Sequence, residues 1–372
     1  MHVRTFAGAM LSALLASSCV PTAGTAGSTS AGAPGPAVPN TGAAVQQRGW
    51  RVGTEEHVDL WLHGFAMLTS DTGHVPFFLR GYKQEITNLK KQRNVVTNLD
   101  ANRQQLSQRF ATTPSLANAQ FLAMYFSSFQ EIVNATDLFI RANGDPRAAS
   151  DPMMQQEIAL LAANFPTPAD RNWARLFVQS LQDESTRFYH AYWLDQQSTR
   201  GAAFAQFNQL WAGQYYPKLS RFLNNTQQAA GELILSVPLG GEGRTINTSN
   251  RTNVIAVEYP RTPDAAPNAL FGFVHEAVAS LVQEAITDNT TPAEQRSGAT
   301  NGYVGNGAVR GGLLLLQRVA PDLAPSYMRY YLATAGRTAT GDPRAAFEAA
   351  FPLPTAIINA INAAIDSALG GI

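Results

Sequence analysis

Between residues 54 and 228 the large apolar side chains recur at helical spacing. Leu79, Tyr82, Ile86 and Leu89 form one stripe, and Phe121, Tyr125, Phe129 and Ile132 a second. A third runs through Trp173, Phe177, Leu181, Phe188 and Tyr192, and a fourth through Phe204, Phe207, Trp211 and Tyr215. Steps of three and four residues place each set on one side of an α-helix. Gly73, Asn143-Gly144-Asp145-Pro146 and Pro166-Thr167-Pro168 interrupt the pattern, so the segment predicts an antiparallel helical array. Thr167 or Asp170 is placed to cap the helix that follows.

The period changes near Gly231. Leu233, Leu235 and Val237 alternate with other residues, Pro238 to Gly243 turns the chain, and Asn253 to Tyr259 is rich in β-branched residues. These runs predict two or three strands joined by polar loops. A helix follows from Asn268 to Thr287, and the remainder is mostly helical, broken at Pro321, Gly341 and Pro352-Leu353-Pro354. A tail helix over 355–368 carries Ile357, Ile358, Ile361 and Ile365. The expected class is mainly α (α+β): a helical array with a small antiparallel β element preceding a His-Glu-bearing helix. The globular domain is expected over 46–372, with a helical part over 54–228 and a β-containing part over 229–372.

The N-terminus has a different character. A basic start at Arg4 leads into an apolar run from Phe6 to Ala16, then small residues precede Cys19. The run is too short to span a bilayer and has the layout of an export signal over 1–19. Ala16-Ser17-Ser18-Cys19 resembles a bacterial lipobox, with Leu15 one position earlier than that family prefers. The resemblance implies lipidation of Cys19, membrane attachment through it, and residence in the cell envelope. The alternative is a periplasmic or secreted protein, cleaved between Ala23 and Ala26. Residues 20–45 are uncharged and rich in Gly, Ser, Thr, Ala and Pro, the composition of a disordered tether. No other apolar run is long enough to predict a transmembrane helix.

Charge narrows the partners. Lys plus Arg and Asp plus Glu each total 27, and Arg80, Lys90-Lys91 and Arg93 make no extended basic stripe, so nucleic acid is not expected. Cys19 is the sole cysteine, which excludes an intramolecular disulfide and leaves the apolar core, a metal or a partner to hold the domain.

One segment carries a chemical motif. Phe273-Val274-His275-Glu276-Ala277-Val278-Ala279 lies on the helix after the strands. It resembles the active-site helix of zincin metallopeptidases, where H-E-x-x-H sets two zinc ligands one turn apart around a general base. The resemblance implies zinc as cofactor, His275 as its first ligand and Glu276 as the base. Ala279 occupies the second ligand position and has no donor atom. Three readings stay open: a histidine packed beside Phe271, Val278, Val282 and Ile286, a decayed zincin site that keeps the fold and loses hydrolysis, or a working metal site completed by distant histidines among His57, His63, His74 and His190.

Glu55 to His63 is the other dense stretch. His57 and His63 point in different directions on a helix, whereas Asp59 and His63 can pair four residues apart. The segment reads as an amphipathic helix capped by Thr54, and His57, Asp59 and His63 are the candidates for the wall of a cleft. Gly302 to Gly312 reads as close helix packing or a loop before Leu313. The expectation is therefore an exported lipoprotein whose non-catalytic helical domain binds an unknown protein or small-molecule ligand, with no cofactor. The alternative is a zinc-dependent metallopeptidase with a non-standard ligand set around His275 and Glu276.

Overall fold

The run from His57 to Leu68 places apolar side chains round most of a helix, with Asp59 and His63 on the remaining side, and so apolar a helix belongs inside a fold. In the computed structural model, which describes residues 45–46, 49–69, 73–247 and 253–370, it does. Helix α1 (Glu56–Leu68) buries every residue from His57 onward. Helices α2 (Tyr82–Gln92), α3 (Asn98–Thr112), α4 (Phe129–Arg141), α5 (Pro152–Asn164) and α6 (Pro168–Glu184) follow in the chain. Gly64 lets α6 close on α1, because a Cβ there would lie 2.7 Å from Phe177 and 2.8 Å from Leu181. Thr167 caps α6, and Asp170 reciprocates in a capping box.

Helices α6, α7 (His190–Leu210) and α8 (Tyr216–Asn225) run on without a break in helical backbone. Two π-helical turns, Ser185–Tyr189 and Trp211–Tyr215, join them. The second sequence stripe is divided instead. Phe121 and Tyr125 lie in a 3₁₀ segment, Pro114–Tyr125, whereas Phe129 and Ile132 open α4. The break is set at Ser128, whose Oγ accepts from the Glu131 backbone N–H at 3.2 Å.

The sheet has strands β1 (Val45–Gln46), β2 (Trp50–Gly53), β3 (Gly231–Ser236), β4 (Arg244–Asn247) and β5 (Asn253–Glu258) in the order β1-β2-β3-β5-β4. Its centre is parallel: Trp50 pairs with Gly231, Gly231 with Asn253 and Ser236 with Glu258. Only the edge strands β1 and β4 are antiparallel to their neighbours. The expected antiparallel pairing is thus corrected for the two runs read from the sequence. Strand β4 carries the chain back along the far side of β5, so β5 starts at the same end as β3. The continuous burial of Leu233–Ser236 and Asn253–Val257 is what parallel strands covered on both faces produce. Strand β2 pairs with β3 although it precedes the whole helical part.

Helix α9 (Pro267–Asp288) lies on this sheet, with Gly272 against Val257. By length and composition it could cross a membrane, but 72% of its apolar window is buried within the fold. After α10 (Pro292–Ser297), α11 (Ala299–Val319) packs along α9. Gly307 and Gly311 make the approach close, since Cβ atoms there would lie 2.7 and 2.8 Å from Val282 methyls. The glycine-rich stretch is therefore a helix-packing surface. Helices α12 (Ala324–Thr334), α13 (Arg344–Ala350) and α14 (Thr355–Ala368) complete the chain, and Ile357, Ile361 and Ile365 of α14 are buried. The molecule is mainly helical around one small mixed sheet.

Candidate functional site

The His-Glu motif sits where α9 crosses the β4 edge. Both side chains are buried, His275 at 3% exposure and Glu276 at 6%. His275 Nδ1 lies 2.9 Å from Glu276 Oε1, and Thr245 of β4 donates its hydroxyl to Oε2 at 3.2 Å. The Tyr331 ring stacks on the imidazole at 6.0 Å. Burial alone would raise the Glu276 pKa; the hydrogen bond and charge of His275, with Arg244 and Thr245, outweigh it and hold the carboxyl below its ordinary value. The pair is internally satisfied. Among the described residues no group of three or more His, Cys, Asp or Glu side chains converges on a point that could hold a metal. His57, His63, His74 and His190 each bond elsewhere, to Phe126 O, Glu184 and Tyr82, Ala350 O, and Glu56 respectively.

His57, Asp59 and His63 do not wall a cleft around His275. They lie in the core on α1. The helix is buried rather than amphipathic, and its cap position is Glu55, while Thr54 Oγ1 donates to Gln197 instead. Asp59 and His63 do not pair, because each faces a different neighbour. His57 Nε2 donates to Phe126 O at 2.7 Å, and burial lowers its pKa.

Asp59 stands behind the carboxyl end of the sheet. Its Oδ1 accepts from the Val237 backbone N–H at 3.2 Å and its Oδ2 from the Trp193 indole at 3.1 Å. Burial pushes its pKa up to about 7, against the opposing pull of Ser236, Val237, Trp193 and Arg200.

His63 belongs to a knot that sequence reading missed. Its Nε2 donates to Glu184 Oε1 at 2.9 Å, and its Nδ1 accepts from the Tyr82 hydroxyl at 2.9 Å. Lys90 donates to Glu184 Oε2 at 2.7 Å, to Asp100 at 2.8 Å and to Thr97 Oγ1 at 3.0 Å. Burial lowers the His63 pKa despite Glu184, and Lys90 supplies a cation to Glu184 from the other side. Burial would raise Glu184, but the His63 and Lys90 contacts hold it at about 2. A polar knot this deep is a positioning device, since each of its charges is paired.

Just outside it the surface opens into a groove. Strands β3 and β5 end side by side at Ser236 and Glu258, and open α/β sheets take ligands beyond such ends. Glu258 Oε2 accepts from Tyr330 at 2.8 Å, Arg200 donates to Tyr259 O at 2.6 Å, and Arg261 reaches Glu85 of α2 at 2.7 Å. From Glu85 a groove of about 360 Å³ runs between α2 and α7, lined by Glu85, Asn88, Leu89, Gln92, Arg93, Tyr192, Asp195 and Gln196. The π turn at Ser185–Tyr189 immediately precedes its α7 wall, and such turns frequently mark functional sites. Tyr192 is 2% exposed, and among the described residues its buried hydroxyl has no hydrogen-bond partner. Only the run of polar residues between the apolar positions of α2 and α7 was available to flag the groove in advance.

Cys19, the expected lipidation site, lies outside the described residues. Comparison with protein-family models, with curated proteins and with solved structures returns no match.

Proposed function

We propose that this chain is an exported lipoprotein of the bacterial cell envelope, attached to the membrane through Cys19, whose helical domain binds a ligand rather than hydrolysing a peptide. The ligand seats in the groove between α2 and α7. The observation that carries this reading is the groove itself, lined by polar residues of α2 and α7, with Arg261, just past β5, bonded to its Glu85. The mutual hydrogen bond of His275 and Glu276 supports the same reading, because it occupies Nδ1 and the carboxylate in the core.

A thermal-shift panel of small polar molecules against the full-length chain and Asp195→Arg tests the binding role. Asp195 is exposed, so the charge reversal leaves the fold intact while placing a cation in the groove. Ligands that stabilise the natural chain and not the variant are expected. Zinc-dependent peptide hydrolysis abolished by Glu276→Gln would overturn the reading in favour of the peptidase. Incorporation of labelled palmitate, lost in Cys19→Ser, is expected for the anchor; soluble, unlabelled protein would contradict it.

A further inference from the structure

We infer that the α2–α7 groove takes a neutral, hydroxyl-rich ligand, a saccharide; the inference rests on the binding role proposed above. The polar groups that face the groove are mixed in kind and balanced in charge. Glu85 and Asp195 bring carboxylates, and Arg93 with the rim residue Arg261 brings two guanidinium groups. An anion meets the carboxylates and a cation meets the guanidinium groups, so neither is favoured by net charge. Asn88, Gln92 and Gln196 add amides, which both donate and accept. Their free atoms are complementary to hydroxyls: Gln196 Oε1 accepts from Arg200 and Asn88 Oδ1 accepts from Gln84, leaving each amide nitrogen as a donor. Among the described residues the side chains of Asp195 and Gln92 make no hydrogen bond or ion pair.

A sugar hydroxyl, donor and acceptor at once, satisfies such a surface better than a purely accepting or purely donating ligand. The volume of about 360 Å³ falls in the lower part of the range of ligand sites.

The test is calorimetric titration of the full-length chain with maltose, cellobiose and N,N′-diacetylchitobiose as neutral probes, and glucosamine and glucuronate as charged ones. Asp195→Ala and Gln92→Ala are run beside it, both at exposed positions that line the groove. At least one neutral probe is expected to bind, with affinity weakened about tenfold by each variant. Binding of charged probes alone, lost in Asp195→Ala, would overturn the neutral class and leave the groove as a binding site. Absence of binding by any probe, while other molecules stabilise the chain through the groove, would overturn the saccharide assignment only. Neutral-probe binding indifferent to both variants would place the site elsewhere and overturn both readings.

Discussion

Two buried histidine–carboxylate pairs, one in each half of the chain, have the same contact distance and different supports. His63 meets Glu184 at 2.9 Å and His275 meets Glu276 at 2.9 Å. The first pair joins residues 121 positions apart, with Lys90 added from 94 positions away. The second joins neighbours in sequence, with Thr245 and Arg244 brought in from β4. The adjacent pair spells a motif and attracts a chemical reading. The distant one spells nothing, yet it binds α1, α2, α3 and α6 together through the Lys90, Thr97 and Glu184 contacts. Adjacency in sequence governs how visible a polar pair is, while the number and charge of its partners govern how much structure depends on it.

The largest effect that would break this comparison is loss of the Lys90 charge. Lys90→Met leaves Glu184, which is 0% exposed, without its cation. Removing one partner of a buried ion pair costs about 3–5 kcal/mol, and urea unfolding at neutral pH should show that loss. The acid side sharpens it. Glu184 is held at about 2, so its contribution is present above pH 4.5 and is lost as pH falls through about 2. In Lys90→Met the loss should begin at a higher pH. A variant as stable as the natural chain, with an unmoved acid transition, would remove the knot from the account.

Asp59 extends the comparison to a buried carboxyl with no cation in hydrogen-bonding contact. Its pKa is raised from 3.8 to about 7, so its contribution is fully present below pH 3.8 and lost as pH rises through about 7. That is opposite in sign to Glu184. Asp59→Asn should flatten the decline in stability between pH 4 and 7, a difference of up to a few kcal/mol in denaturant midpoints taken across that range. An unchanged slope would show that other groups set it.

Glu276→Gln should cost the least, about 1–3 kcal/mol, because the amide keeps the shape and retains an oxygen for Thr245 or His275. Chemical unfolding of this variant beside Lys90→Met measures the contrast directly. Equal losses would mean that the two pairs are supported alike.

Much of the fold was legible because it is written in local periodicity. The stripes through Trp173 and Phe177, the helix carrying His275, and the Ile357–Ile365 face all repeat at helical spacing and are buried where that spacing puts them. Strand β2 was not legible, since four residues hold too few alternations to show a period and its partner lies 181 positions later. The direction of β5 relative to β3 depends on where β4 carries the chain, which no pattern within either strand records. The candidate site divides the same way. His57, Asp59, His63, His275 and Glu276 were named from local density, but their partners were not, and those partners turned each of them inward. The groove was missed because its residues come from two helices whose nearest lining positions, Arg93 and Tyr192, are far apart in the chain.

The central claim is that His275 and Glu276 serve the core while the domain binds through a separate surface. Elemental analysis of the purified full-length chain after exposure to zinc and gel filtration, beside His275→Ala, tests it most directly. No stoichiometric zinc is expected in either protein, together with a lower unfolding midpoint in the variant, where Glu276 has lost its contact with His275. One equivalent of zinc in the natural chain that disappears in His275→Ala would contradict it and make the helix a metal centre.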